Sequence, residues 1–193
     1  MTTTFQEPGT DATFGFEFWS AVTGTVVSDT AQVNTGPRSI KCTGSAPGNN
    51  ATVQSTVGIT AAGGRVSIYF RFANLPNLNA GIMQLLNASN AVVITVGVLT
   101  TGLMFLADGN GNDLGGGGSI TLSTGVWYRI CLAYTITSTT VNEFRVFVDG
   151  VQDQTISNVT LTTITPARFF AGLMGDITSD RILNLDDVYV DDS

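Results

Sequence analysis

Polar side chains recur at every second position of the run Arg65-Val66-Ser67-Ile68-Tyr69-Phe70-Arg71-Phe72. As a strand, this run puts Arg65, Ser67, Tyr69 and Arg71 on one face and the four apolar residues on the other. Aromatic rings stack on sugar faces, and a guanidinium donates hydrogen bonds in a fixed fork, so such a face suits a glycan. Trp127, Arg129 and Arg145, from other segments, are candidates to join it. The plainer alternative is that Tyr69 and Trp127 cover a sheet or complete a core. A second group is acidic, with Asp186, Asp187, Asp191 and Asp192 within seven residues. It reads either as a set of hard oxygen ligands or as a solvated edge whose charge discourages edge-to-edge pairing.

Composition excludes much other chemistry. The 193 residues include no His, which removes Ser-His-Asp, Cys-His and His-based zinc sites. Three glutamates (Glu7, Glu17, Glu143) and one lysine (Lys41) leave few groups for acid and base work. A net charge of -7 with eight dispersed basic residues argues against nucleic acid as a partner. Cys42 and Cys131 are too far apart for a CxxC site and read as neutral buried thiols or as a disulfide. The start, MTTTFQEPGT, has neither a basic nor an apolar leader region, so no secretion signal is expected. The matches to the glycosylation sequon at Asn50, Asn87 and Asn158 read as coincidences in a Thr-rich chain.

The elements that must position these residues are strands. Alternation recurs in EFRVFVDG, and further β-rich runs are FGFEF (14–18), RSIKCTG (38–44), ATVQSTV (51–57), VWYRICLAYTI (126–136), ARFFAGL (167–173) and LNLDDVYV (183–190). Asp149-Gly150 is the clearest hairpin signal, since both residues tolerate positive φ. Residues 91–107 are uncharged, but their Val and Ile content and the break at Thr100–Gly102 predict two strands and not a membrane span. The stretch from Ala107 to Ser119 reads as a flexible surface loop or, less directly, as a calcium loop without EF-hand spacing. No window carries a capped helical stripe. About a dozen strands in one chain predict an all-β, two-sheet antiparallel sandwich over residues 5–193, with residues 1–4 as a frayed, flexible end.

The order VWYRICLAYTITSTTVNEFRVFVDGVQD, with paired strands from Ile82 to Leu106 before it and LNLDDVYVDD after it, resembles the laminin-G-like and concanavalin A-like jelly rolls. Within that superfamily the glucanases use an E-x-D-x-(x)-E strand, the alginate lyases a Gln-x-His strand, and the legume lectins a His-containing metal pair. None of these motifs is present, so the resemblance implies a non-catalytic member. It also implies a structural calcium joining first strand to last, with Glu17 and Asp186 or Asp187 as ligands. The glycan-binding candidates are Arg65, Tyr69, Arg71, Trp127 and Arg129.

Three readings of function follow. The first is a structural or attachment protein on a virion surface, most concretely a bacteriophage decoration or appendage protein that contacts other virion proteins and host glycans. The second is a carbohydrate-binding module or a His-independent polysaccharide lyase in which Tyr69 beside Arg71 serves as base and acid. Tyr128 and Arg129 are the poorer pair, because adjacent strand residues face opposite sides. The third is self-association into a homo-oligomer, for which a weakly charged surface is permissive.

Overall fold

A computed structural model of the chain describes residues 2–4, 19–44, 50–55, 59, 62–115, 117–175 and 181–191. The described residues contain fourteen strands: β1 (Thr2–Thr4), β2 (Trp19–Thr23), β3 (Thr25–Asp29), β4 (Ser39–Gly44), β5 (Ala51–Ser55), β6 (Gly63–Phe72), β7 (Ala80–Leu86), β8 (Val92–Val98), β9 (Met104–Asp108), β10 (Trp127–Ile136), β11 (Asn142–Val148), β12 (Val151–Ser157), β13 (Arg168–Met174) and β14 (Arg181–Asp191). The larger, eight-stranded sheet runs β12-β11-β10-β6-β14-β4-β3, with β1 also on β14. The smaller has six strands, β2-β5-β13-β7-β8-β9. All pairings between these strands are antiparallel, so the expected all-β sandwich is the observed fold.

Alternation explains how the sheets close on each other. Val66, Ile68, Phe70 and Phe72 of β6 are each at most 1% exposed. They share the core with Ile130 and Leu132 of β10, Phe144 and Val146 of β11, and Leu183 and Leu185 of β14. From the smaller sheet, Val53, Leu85, Ile94, Val96 and Phe169 fill the same layer. Each such side chain contributes roughly 1.5–3 kcal/mol by leaving water. The uncharged run at 91–107 is indeed two strands, β8 and β9, turned by Gly102 at φ 85°. The β11–β12 hairpin turns at Asp149 (φ 51°) and Gly150 (φ 84°), the positive pair that a type I′ turn requires.

At the amino terminus Thr2–Thr4 pair with β14, Thr4 opposite Tyr189 and Thr2 opposite Asp191. Here β1 takes the edge that β4 leaves, since β4 pairs only with Arg181–Leu185. The segment after Ala107, read as flexible, is a set of tied turns. Asp108 accepts the amides of Asn110 and Asn112, while Asp153 accepts those of Ser119 and Ile120. Burial works to raise the Asp108 pKa, but the donors of Asn112 and Asn110 outweigh it and the net shift is downward. Cys42 and Cys131 are both free thiols, and burial pushes both pKa values up. The FGFEF run lies outside the described residues. Among the described residues no helix is long and apolar enough to cross a membrane.

Candidate functional site

The residues that β6 turns away from the core form the centre of a continuous outer face on the larger sheet. Register across β14, β6 and β10 sets them in rows. Asn184, Arg71 and Trp127 make one row and Asp186, Tyr69 and Arg129 the next. Tyr189, Ser67 and Cys131 follow, then Asp191, Arg65 and Ala133. Neighbouring strands lie about 4.8 Å apart, and successive rows, two residues on, about 7 Å apart. All five glycan-binding candidates, Arg65, Tyr69, Arg71, Trp127 and Arg129, therefore stand on one face. Trp127 is half-buried there opposite Arg71. Tyr128 turns to the opposite side, and its hydroxyl accepts the Ser123 amide at 3.0 Å.

The arginines are anchored. Arg129 Nε donates to Ser67 Oγ at 2.7 Å, and its guanidinium lies 5.3 Å from the centre of the Tyr189 ring. This side chain thus crosses β6 from β10 to β14 and covers Ser67, which is only 3% exposed. Arg71 Nε donates to the Gly125 carbonyl at 3.2 Å. Beyond Arg65 the face ends in a cleft of about 390 Å³ whose lining includes Gly64, Arg65, Ala133, Glu143, Arg145 and Asp191. Arg145 and Glu143 form an ion pair there.

Tyr189, Asn184 and Lys41 were not singled out in the sequence. Lys41, opposite Asn184, follows from the alternation Ile40-Lys41-Cys42 once β4 is placed. Tyr189 does not, because a bulge between Asp186 and Val188 lets Asp186 and Tyr189, three residues apart, share a face. Asp187 occupies the bulge at φ 40°.

The closing carboxylates hold a loop. Asp186 Oδ2 accepts the amides of Asn34 (2.8 Å) and Thr35 (3.1 Å), and Oδ1 accepts that of Asp187 (3.0 Å). Asp187 accepts the Thr35 hydroxyl at 2.6 Å and the Asn34 side-chain amide at 3.3 Å. Asn184 joins this network by donating to Asp29 at 3.0 Å and to Ser39 at 3.3 Å. The described partners of both carboxylates are backbone amides, a side-chain amide and a hydroxyl. Glu17, the third ligand implied by the resemblance, lies outside the described residues. Among the described residues no group of three or more acidic, Cys or His side chains is placed to hold a metal.

Burial raises the Asp186 pKa, the amides of Asn34 and Thr35 oppose it, and repulsion from Asp187 adds to the net upward shift. The folded carboxyl therefore keeps its proton longer than the unfolded one. Its contribution to stability is greatest in acid and declines as pH rises from about 3.8 through the folded pKa. In a carboxyl-carbon NMR titration Asp186 should ionise above 3.8, and Asp187→Asn should lower its midpoint. A parent midpoint at or under 3.8 would contradict this account of the site.

No protein-family model and no characterised protein sequence matches this chain. Solved structures do match it. An endo-β-1,4-glucuronan lyase from the fungus Trichoderma reesei superposes with a TM-score of 0.70 at 19% identity, over 91% of each chain. The cellulose-induced protein Cip1 gives 0.74 at 13% identity over 95% of each. A carbohydrate esterase from the Shiga toxin-encoding bacteriophage phi24B gives 0.66 at 13% identity over 99% of each. At these identities the likeness is one of fold, the two-sheet jelly-roll sandwich.

Proposed function

We propose that this chain is a non-catalytic attachment protein that binds glycans through the outer face of its larger sheet. We place it on a virion surface as a bacteriophage decoration or appendage protein, with other virion proteins or further copies of itself as partners. The observation that carries the glycan reading is the register that sets Arg71 opposite Trp127 and Tyr69 opposite Arg129, with Arg65 on the same face. Rings for stacking and fixed donors extend over about 20 Å of β6, enough for several sugar units. The likeness of fold to a glucuronan lyase and to a carbohydrate esterase supports the relation to glycans. The absence of His and of a glucanase glutamate pattern supports a binding role over hydrolysis.

A second reading, a His-independent lyase, is favoured by one detail. Tyr69 has arginines on two sides, Arg71 along β6 and Arg129 across on β10, which would neutralise uronate carboxylates beside a phenol serving as base and acid.

A glycan array should give hits that Tyr69→Ala weakens about tenfold or more, in line with the loss of a stacking ring. An empty array, or unchanged affinity in Tyr69→Ala, overturns the binding reading. Mass spectrometry of purified particles should find the chain, and its absence removes the virion assignment. Release of unsaturated products from a uronate polymer would replace the binder by the lyase.

A further inference from the structure

We propose that Arg71 and Arg129, on either side of Tyr69, form a two-point clamp for anionic substituents, the carboxylates or sulfate esters of an acidic polysaccharide. This rests on the glycan reading and specifies its ligand class. The first ground is where charge lies. Five of the eight basic residues, Lys41, Arg65, Arg71, Arg129 and Arg145, stand on the outer face of the larger sheet in a chain of net charge -7.

The second ground is how the carboxylates of that face are used. Asp186 and Asp187 accept donors from Asn34 and Thr35. Asp29 accepts the Ala31 amide and the Asn184 side chain, and Glu143 pairs with Arg145. Neither the Arg71 nor the Arg129 guanidinium has a carboxylate partner among the described residues, and the one carboxylate at Arg129, that of Asp149, accepts its backbone amide at 2.8 Å.

The third ground is orientation. Each of the two guanidinium groups is fixed through Nε alone, Arg71 to the Gly125 carbonyl and Arg129 to Ser67 Oγ. Stacking on Tyr189 further holds the plane of Arg129. The terminal Nη groups are left for a ligand, already positioned, so little side-chain entropy is lost when a planar or trigonal anion binds. Charge-assisted bonds of this kind are about twice as strong as neutral ones. Arg71 reaches toward Gly125 and Arg129 toward Ser67 and Tyr189, so the two forks stand on either side of Tyr69 and meet separate anionic substituents along one bound chain.

The test is calorimetric titration with three oligosaccharides of equal length, an oligoglucuronate, a sulfated oligoglucoside and a neutral oligoglucoside. At least one acidic chain should bind, and its affinity should fall about tenfold as salt rises from roughly 0.05 M to 0.5 M. Which of the two acidic chains binds identifies the substituent. Arg71→Gln and Arg129→Gln should each cost about tenfold or more, and Arg129→Lys should recover only part, because it restores the charge without the fork. Arg168→Gln, on the smaller sheet, should leave affinity unchanged. Thermal melts of each variant separate lost binding from lost folding. Salt-insensitive binding of the neutral chain as tight as that of either acidic one overturns the clamp and leaves the glycan reading standing. Binding of none of the three overturns both. Full affinity in folded Arg71→Gln and Arg129→Gln overturns the clamp as well.

Discussion

Asp186→Ala is expected to lower stability by about 2 kcal/mol and to release the loop between β3 and β4 from β14. The carboxylate accepts three backbone amides, those of Asn34, Thr35 and Asp187, and alanine accepts none. A buried donor left without a partner costs roughly 1–3 kcal/mol. The Asp187 bond is buried, whereas those of Asn34 and Thr35 are only partly so and water can replace part of their loss. A compensating gain exists, because Asp186 is 2% exposed and its ionised form is itself disfavoured there. Three orphaned donors outweigh that gain. The bulge is also affected, since Asp187 is held at φ 40° with its own amide bound to Asp186. Hydrogen exchange at the Asn34 and Thr35 amides should accelerate together with the fall in melting temperature. Asp186→Asn keeps one acceptor oxygen and should fall between parent and alanine. A melting temperature and exchange rates equal to the parent's would remove Asp186 from this role.

What could be read in advance follows the reach of local rules. Alternation in β6 assigned Arg65, Tyr69 and Arg71 to one face without knowledge of any neighbour, because side-chain direction in a strand depends only on parity. Trp127 and Arg129 reached the same face by the same rule applied to β10. Which strand lies beside which is a long-range matter, and no local signal puts β14 between β6 and β4. Tyr189 was missed for a different reason: the bulge at Asp187 reverses parity midway through β14, and an aspartate at φ 40° is not announced by LNLDDVYV. The acidic pair was visible, but its partners were not. Asn34 and Thr35 lie about 150 positions earlier, in a stretch whose own pattern gives no strand, and only the fold brings them to Asp186. The loop after Ala107 misled because glycine content was read as freedom, whereas Asp108 and Asp153 tie its amides down.

Gly172→Ala should have the larger effect on folding, about 3 kcal/mol or more, and no effect on ligand affinity in the molecules that remain folded. Gly172 sits in β13 at φ 139°, a conformation that side chains rarely adopt. An added Cβ would lie 2.2 Å from the Ala51 carbonyl oxygen and 2.7 Å from the Thr52 Cα. Both are backbone atoms of β5, the strand that pairs with β13 at this point, so no rotamer change relieves the clash. Either the β5–β13 ladder opens or the bulge between Ala171 and Met174 is rebuilt. Strain and overpacking each cost roughly 1–3 kcal/mol, and in a domain of this size 3 kcal/mol moves the melting temperature by about 10 °C. Gly172 belongs to the smaller sheet, while Tyr69, Arg71 and Arg129 belong to the larger. Titration well below the lowered melting temperature should therefore return the parent affinity. A melting temperature within about 2 °C of the parent would contradict the packing argument. A loss of affinity in the folded variant would mean that the smaller sheet contributes to the binding face.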